Sequence, residues 1–312
     1  MRRRGAPVDG VLLLDKPVGI TSNAALQRAK RAIGAARAGH VGTLDPLASG
    51  LLPVCFGEAT KFSQGLTDAD KTYRATIRLG QRTTTGDAEG EIVAELPVTA
   101  DAATVGAAVA SLQGPLDQVP PMYSALKHHG KPLYAYARAG ETVERAARSI
   151  TIHAIDLEQW APPAVIVRVH CSKGTYVRTL AETLGERLGC GAHLAGLRRL
   201  AVGGLGLDTA ITLADWEVMA TPLRVERLLP PDRLVDQLPK TVLDTPRAAC
   251  FRQGQTVALD EVGGGAASTR VYAADGGAFI GLGARQADGL LKPLRLVAIP
   301  PGTLATKNGD SA

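Results

Sequence analysis

The sequence predicts an α+β protein, with strands and helices alternating through a large first part and short strands in a smaller second part. Three observations carry that reading. "TYRATIRLG" alternates strictly, with Tyr73, Ala75, Ile77 and Leu79 on one face and Thr72, Arg74, Thr76 and Arg78 on the other; that is the mark of a half-buried strand. "NAALQRAKRAIGAAR" repeats at helical spacing instead, gathering Leu26, Ala29 and Ile33 on one side while Arg28 and Arg31 face away. From about residue 230 the texture changes. "LPPDRLVDQLPK" reads as a linker rich in proline and charge, and short alternating segments with turns at Asp275-Gly276-Gly277 and Asp288-Gly289 then suggest a small β-barrel.

The remaining elements follow in order. "LLLDKPVGITS" is a short strand that stops at Lys16-Pro17 and turns through Gly19, leaving Thr21 or Ser22 to cap the helix. "LLPVCF" is a continuous apolar run, as in a strand covered on both faces. Residues 100–113 suggest an alanine-rich helix, and "PPMYSALKHHGKPLYAYARAGETVERAAR" a long projecting loop with a helical piece. "AVIVRVHCS" is another alternating strand. After the Lys173-Gly174 turn, "TYVRTLAETLGERLG" is a helix with Leu180, Leu184 and Leu188 spaced by four, capped by Thr175. The end, "GTLATKNGDSA", reads as disordered.

Composition narrows the class. At 312 residues, with 45% hydrophobic and 21% charged, the chain can bury a real core. No apolar run approaches the roughly 18 residues of a membrane span, and the run after the first arginines is four residues long, ending at Asp15. Neither a secretory signal nor a membrane anchor is expected. Four scattered cysteines without a CxxC pair suit a reducing cytoplasm. Residues 1–40 hold eight Lys/Arg against two acids, an excess larger than the net charge of +5 of the whole chain. Such a patch fits a polyanion such as nucleic acid, or simply a solvated helix face with a loose tail.

One short stretch concentrates chemistry. "GHVGTLDPLASG" places Asp45 among Gly39, Gly42 and Gly50, five residues after His40 and with no second acid within ten residues on either side. Locally, Asp45-Pro46 followed by Leu-Ala-Ser reads as a helix N-cap with proline at the first helical position. The glycines favour a site, because they let the backbone bend tightly and a ligand approach closely. In "CSKGTYVRT", Arg178 would sit in the first helical turn, where a cation opposes the helix dipole. Glu182 at i+4 could compensate it weakly. A better partner is an acid gripped through two hydrogen bonds, and Asp45 is the candidate. Five of the six tyrosines (73, 123, 134, 136 and 176) fall between residues 73 and 176; they could be core rings or stacking platforms for bases. His170-Cys171 with Cys190 and His193 does not make a zinc site, since neighbours on a strand point to opposite faces. With no P-loop, dinucleotide fingerprint or nucleophile elbow, no metal and no cofactor is expected.

Five motifs now coincide: "LLLDKPVGITS", "RAGHVGTLDPLASGLLPVCFGEATKF", "DKTYRATIRLGQRTTTGDAEGEI", "PPMYSALKHHGKPLYAYARAG" and "CSKGTYVRTLAETLGERLGCGAHLAGLRRLAVG". In this order and spacing, from about residue 8 to 215, they closely resemble the TruB-type family of bacterial tRNA pseudouridine-55 synthases. The resemblance implies a catalytic domain over residues 1–235, built on a mixed, largely antiparallel sheet flanked by helices, with a thumb loop at about 122–148. A small PUA-like RNA-binding β-barrel would span 240–299, matched in texture more than in motif, and a tail 300–312. It implies isomerisation of a uridine in the TΨC loop of tRNA, flipped from its stack. The T-arm stem-loop would be the partner, with no membrane, cofactor or obligate protein partner.

Residue by residue, the resemblance makes Asp45 the essential catalytic group, as a nucleophile toward the sugar C1′ or as an aid to uracil departure; both routes stay open. Arg178 would pair with Asp45 and keep it aimed, shielded from water. Tyr73 would stack on the flipped base and help move a proton. Tyr176 and Leu197 would complete the pocket, His40 would hold the rearranged loop, and Lys16, Pro17 and Gly19 would support the wall. Asp87 matches a family acid nearby, and Lys127, His128, His129 and Lys131 would meet phosphates. One departure stands out: the family commonly has threonine where this chain has Val41, so a hydroxyl beside His40 is missing. Two rivals remain on the residues alone. A non-enzymatic tRNA-binding module has little use for both Asp45 and Arg178. A glycosidase-like hydrolase needs two carboxylates about 5–10 Å apart, and the opening motif offers one.

Overall fold

The computed structural model describes residues 5–124, 126–128, 130–137, 139–260 and 268–298. Seven strands make the body of one ten-stranded sheet: β1 (Gly10–Lys16), β2 (Ala48–Phe56), β3 (Lys71–Leu79), β4 (Gly114–Gln118), β5 (Arg148–Ala161), β6 (Ala164–Cys171) and β7 (Ala192–Val202). Their spatial order is β1-β2-β7-β3-β6-β5-β4, with Ile211–Thr212 outside β1. Of the pairs along this path, only β2–β7 and β1 with Ile211–Thr212 run parallel. The expected mixed, largely antiparallel sheet is therefore present. Its least local step matters most: β7, late in the chain, inserts between β2 and β3. That sets Leu197 opposite Ala48 on one side and Ala75 on the other, and Arg199 opposite Gly50 and Tyr73.

Helices cover this sheet. In α1 (Ser22–Ile33) the Thr21 hydroxyl caps the start, accepting from Ala24 N at 3.1 Å, and Gly34 ends it at φ 71°. Its buried stripe of Ala25, Leu26, Ala29 and Ile33 packs on Leu12, Leu14, Leu52 and Val54. Trp216, from α4 (Leu213–Val218) once α2 (Ala102–Ala110) and α3 (Val177–Arg187) are counted, is fully buried there and donates to Ala29 O at 3.1 Å. Truncating so large a core ring costs about 3–5 kcal/mol. On the other half, Leu180, Ala181 and Leu184 of α3 pack with Ile77, Val165 and Val167. Tyr73 and Leu197 touch both clusters, at the seam between them. No helix among the described residues is long and apolar enough to cross a membrane.

Three local expectations are corrected. No helix follows Asp45: Ala48 N closes a turn on Asp45 O at 3.0 Å and β2 starts at once, because the apolar run pairs as a buried strand. Thr175 does not cap α3, since its hydroxyl donates to Ser172 O at 2.9 Å and Tyr176 holds the cap position. The stretch expected as a linker is packed. Pro231–Val235 makes a short 3₁₀ turn that buries Leu234 and Val235 beside Val11, Leu51 and Phe62.

The second sheet contains β8 (Lys240–Leu243), β9 (Val257–Ala258), β10 (Ser268–Ala273), β11 (Phe279–Arg285) and β12 (Leu290–Leu296), in the order β8-β10-β11-β12-β9. It curls into a half-barrel consistent with a PUA-like unit. Phe251, Val271, Ile280 and Leu291 form its own core. It also leans on the first sheet: Phe279 meets Phe62 edge-on at 5.1 Å, and the Tyr272 hydroxyl donates to Asp232 Oδ2 at 2.6 Å. Within the expected thumb, Lys127–His128 pairs with Lys131–Pro132, followed by the helical turn Leu133–Ala137. His129, the side chains of His128 and Tyr134, Arg2 to Arg4 and the tail 300–312 lie outside the described residues.

Candidate active site

The loop carrying Asp45 is held by partners from α1 and the turn before it. The buried Ser22 hydroxyl accepts from Leu44 N at 2.7 Å and donates to Leu44 O at 2.9 Å. Gly19 N donates to Pro46 O at 2.8 Å. That turn is itself tied from below, because the buried Lys16 ammonium donates to Pro17 O at 2.9 Å and Ile20 O at 2.7 Å. Burial brings the Lys16 pKa down to about 8, although the Asp45 charge pulls the other way. Gly42 turns at φ 67°, where a side chain is strained, and its carbonyl accepts from Arg199 at 2.8 Å.

Arg178 comes from the first turn of α3. Gln118, at the end of β4, positions that turn: its side chain accepts from Tyr176 N at 2.9 Å and donates to Tyr176 O at 3.3 Å. The guanidinium then divides itself. Its Nη2 donates to Asp45 Oδ2 at 3.1 Å and to Tyr123 O at 2.6 Å, while Nη1 stands 3.3 Å from Asp87 Oδ2. The expected two-bond grip on Asp45 is thus a single hydrogen bond, with the second Nη2 hydrogen on Tyr123 O and Nη1 turned to Asp87. The Arg178 side chain is 9% exposed and that of Asp45 is 53% exposed. Expected shielding of Asp45 from water is absent in the free protein, because the carboxylate opens onto a cleft.

That cleft, of about 260 Å³, gathers Asp45, Tyr73, Tyr176, Arg178 and Leu197. All five are residues the sequence motifs point to, and the β7–β3 and β7–β2 pairings bring them together. Lys16 and His40 are not part of its lining. His40 lies on the short strand Ala38–His40, opposite Val54, with its Nδ1 buried and without a partner among the described residues; burial and the Arg199 charge push its pKa down. Val41 is buried among Val11, Leu13 and Phe62, so the methyl in place of a hydroxyl joins a core and not the cleft. Asp87 is buried beside Arg178, held by Thr85 Oγ1 at 2.6 Å.

The cationic patch shrinks: Lys16 is buried and Arg28 pairs with Glu217 at 2.5 Å, while Arg31 and Arg37 remain exposed. Cys171 faces the core and His170 stands against the His153 ring. Among the described residues, no group of three metal-ligating side chains converges.

Sequence reasoning offered Ser22 only as a helix cap and did not find Gln118, Arg199 or Glu89. Glu89 lines a neighbouring groove with Pro46 and Leu197, and its carboxyl is pushed up by burial and then by Asp87 and Asp45. The doubled arginine after Leu197 was the one visible signal for Arg199. The others depend on pairings remote in the chain.

Comparison with known proteins places this arrangement in context. The chain matches the models described as TruB family pseudouridylate synthase (N terminal domain) over residues 30–177, tRNA pseudouridylate synthase B C-terminal domain over 178–235, and Pseudouridine synthase II TruB, C-terminal, over 239–297. It is 56% identical over 300 residues to the tRNA pseudouridine synthase B of Cupriavidus pinatubonensis, covering 94% of this chain and 95% of that one. With the Burkholderia mallei protein of the same name it shares 57% over 304 residues, covering 95% and 99%. Its fold is similar to that of a solved archaeal box H/ACA Nop10–Cbf5 complex, with TM-score 0.70 and 23% identity, over 93% of this chain and 86% of that one.

Proposed function

Because this chain belongs to the TruB family and is a pseudouridine synthase, we propose that it converts uridine 55 in the TΨC loop of tRNA to pseudouridine, with Asp45 as the reacting carboxylate. The observation that carries this reading is the 3.1 Å contact of Asp45 with the buried Arg178, at a cleft walled by Tyr73, Tyr176 and Leu197. One carboxylate, one buried cation and aromatic walls suit a nucleoside held apart from its stack. Extruding it costs a few kcal/mol, and stacking inside the cleft offsets that.

The reaction balances without a co-reactant. The N1–C1′ bond breaks and a C5–C1′ bond forms; the C5 proton leaves and N1 gains one. Asp45 serves either by attacking C1′ or by assisting uracil departure as a ribose proton is removed. Arg178 keeps the carboxylate aimed through the turn. Tyr73, whose phenol burial pushes up, stays neutral, stacks on the base and can pass a proton. His40, kept neutral, supports the loop without adding charge. Lys127 and Lys131, exposed on the thumb hairpin, are available to phosphates. The division into a catalytic domain over 1–235 and an RNA-binding domain over 240–299 belongs to this reading, and a tRNA substrate puts the work in the cytoplasm.

The test uses a T-arm stem-loop carrying tritium at uracil C5. Enzyme should release label to water from the uridine at position 55, and a stem-loop with cytidine there should release none. Label leaving from other uridines, or free uracil in solution, contradicts the proposal.

A further inference from the structure

Among the described residues Arg199 is the most deeply buried arginine, 1% exposed. A buried guanidinium is expensive unless its donors are satisfied and its charge is compensated. Two of its donors go to main-chain carbonyls, Nε to Leu51 O at 2.7 Å and Nη2 to Gly42 O at 2.8 Å, and its side chain also meets that of Tyr73. Among the described residues it forms no ion pair with a carboxylate. A cation is kept here without a carboxylate among the described residues, and the register says what it faces.

On β7, Arg199 stands directly opposite Tyr73 of β3 and opposite Gly50 of β2. Gly50 leaves room for that pairing, because a Cβ there would lie 2.3 Å from Arg199 O. The ladder slips between Arg199 and Ala201, so the strand is bent where the guanidinium leaves it. From that bend the side chain reaches under the Asp45 loop. A Cβ on Gly42 would sit 2.9 Å from Nη1, so loop and guanidinium are in contact. The cation also acts on the Tyr73 phenol, opposing the rise that burial causes.

We propose that Arg199 is a positioning residue for the reaction: one guanidinium ties the Gly42 end of the Asp45 loop to β2 and lies against the strand position of Tyr73, fixing the spacing between carboxylate and ring. The inference rests on the reading of Asp45 and Tyr73 as reacting groups. A misplacement of about 1 Å in such a pair can cost on the order of a hundredfold in rate. A contact made only within the protein, with no reach to solvent, leaves RNA docking untouched.

The experiment measures single-turnover tritium release and stem-loop affinity for wild type, Arg199→Met, Arg199→Lys and Gly42→Ala, with unfolding midpoints for each. Arg199→Met should slow the step about a hundredfold while affinity stays within about threefold. Arg199→Lys, able to reach one carbonyl, should recover about tenfold of that loss. Gly42→Ala keeps the guanidinium and crowds the contact from the loop side, so it should also slow release without weakening binding. If Arg199→Met keeps the wild-type rate, or if rate, affinity and midpoint fall together and Arg199→Lys rescues nothing, the positioning role is overturned. If Arg199→Met does not fold, Gly42→Ala decides by the same two readouts. An inactive wild type, or an active Asp45→Asn, would instead sink the reading on which this one rests.

Discussion

Two arginine–aspartate pairs, one in each region of the molecule, look opposite in quality. In the second sheet's region, Arg247 holds Asp260 through two hydrogen bonds of 2.5 and 2.7 Å, and the Asp260 side chain is 80% exposed. In the cleft, Arg178 gives Asp45 one bond of 3.1 Å and also meets Tyr123 O and Asp87. By geometry alone the first pair is the better made. Yet an exposed pair has water as a ready substitute and contributes little to stability. The cleft pair keeps its cation buried and leaves its carboxylate half open to whatever enters. A loosely held acid on a rigid, dry cation suits chemistry, and a tightly held acid on a wet one suits decoration of a surface.

Applying one substitution to both pairs sharpens the contrast. If Asp45 is the reacting carboxylate, Asp45→Asn should cut tritium release by roughly 10⁴-fold while stem-loop affinity and the unfolding midpoint hold, since little packing is lost. Retained release would erase the distinction between the pairs.

The next effect is smaller and concerns the buried lysine beneath the turn that holds the Asp45 loop. Lys16 loses its proton at about 8 in the fold, against an ordinary 10.5. Between those values the unfolded chain binds more protons than the folded one, so the Lys16 contribution to stability rises with pH. Lys16→Met removes that slope. Stability of the variant relative to wild type should therefore fall as pH goes from 7 to 10, read by denaturant midpoints. A difference independent of pH would mean that Lys16 is solvated after all.

Asp260→Asn should do least: no change in the unfolding midpoint or in tritium release. A clear drop in either would show that pair geometry, not burial, marks the important pair.

How much of this was legible follows the same line. Asp45, Tyr73 and Arg178 stand in motifs whose residue types are odd for a loop, a strand end and a helix start, so the residues that line the cleft together showed through locally. The strand faces of β3 and β6 and the buried stripe of α1 followed from periodicity. Asp45 as a helix cap failed because five residues cannot reveal that the next nine pair as β2. Thr175 lost the cap because its hydroxyl turned back to Ser172. Arg199 and Gln118 were silent because their partners, Gly42 and Tyr176, lie 157 and 58 residues away. Insertion of β7 between β2 and β3 makes the site, and no local pattern encodes that step.

On the proposed function, Asp45 performs the chemistry and Arg178 acts through it. A double-variant cycle in single-turnover tritium release tests this most directly, with Asp45→Asn, Arg178→Met and both together. If the arginine works only by aiming the carboxylate, the double variant should be no slower than Asp45→Asn alone. Losses that multiply would show the two groups acting independently and contradict the claim.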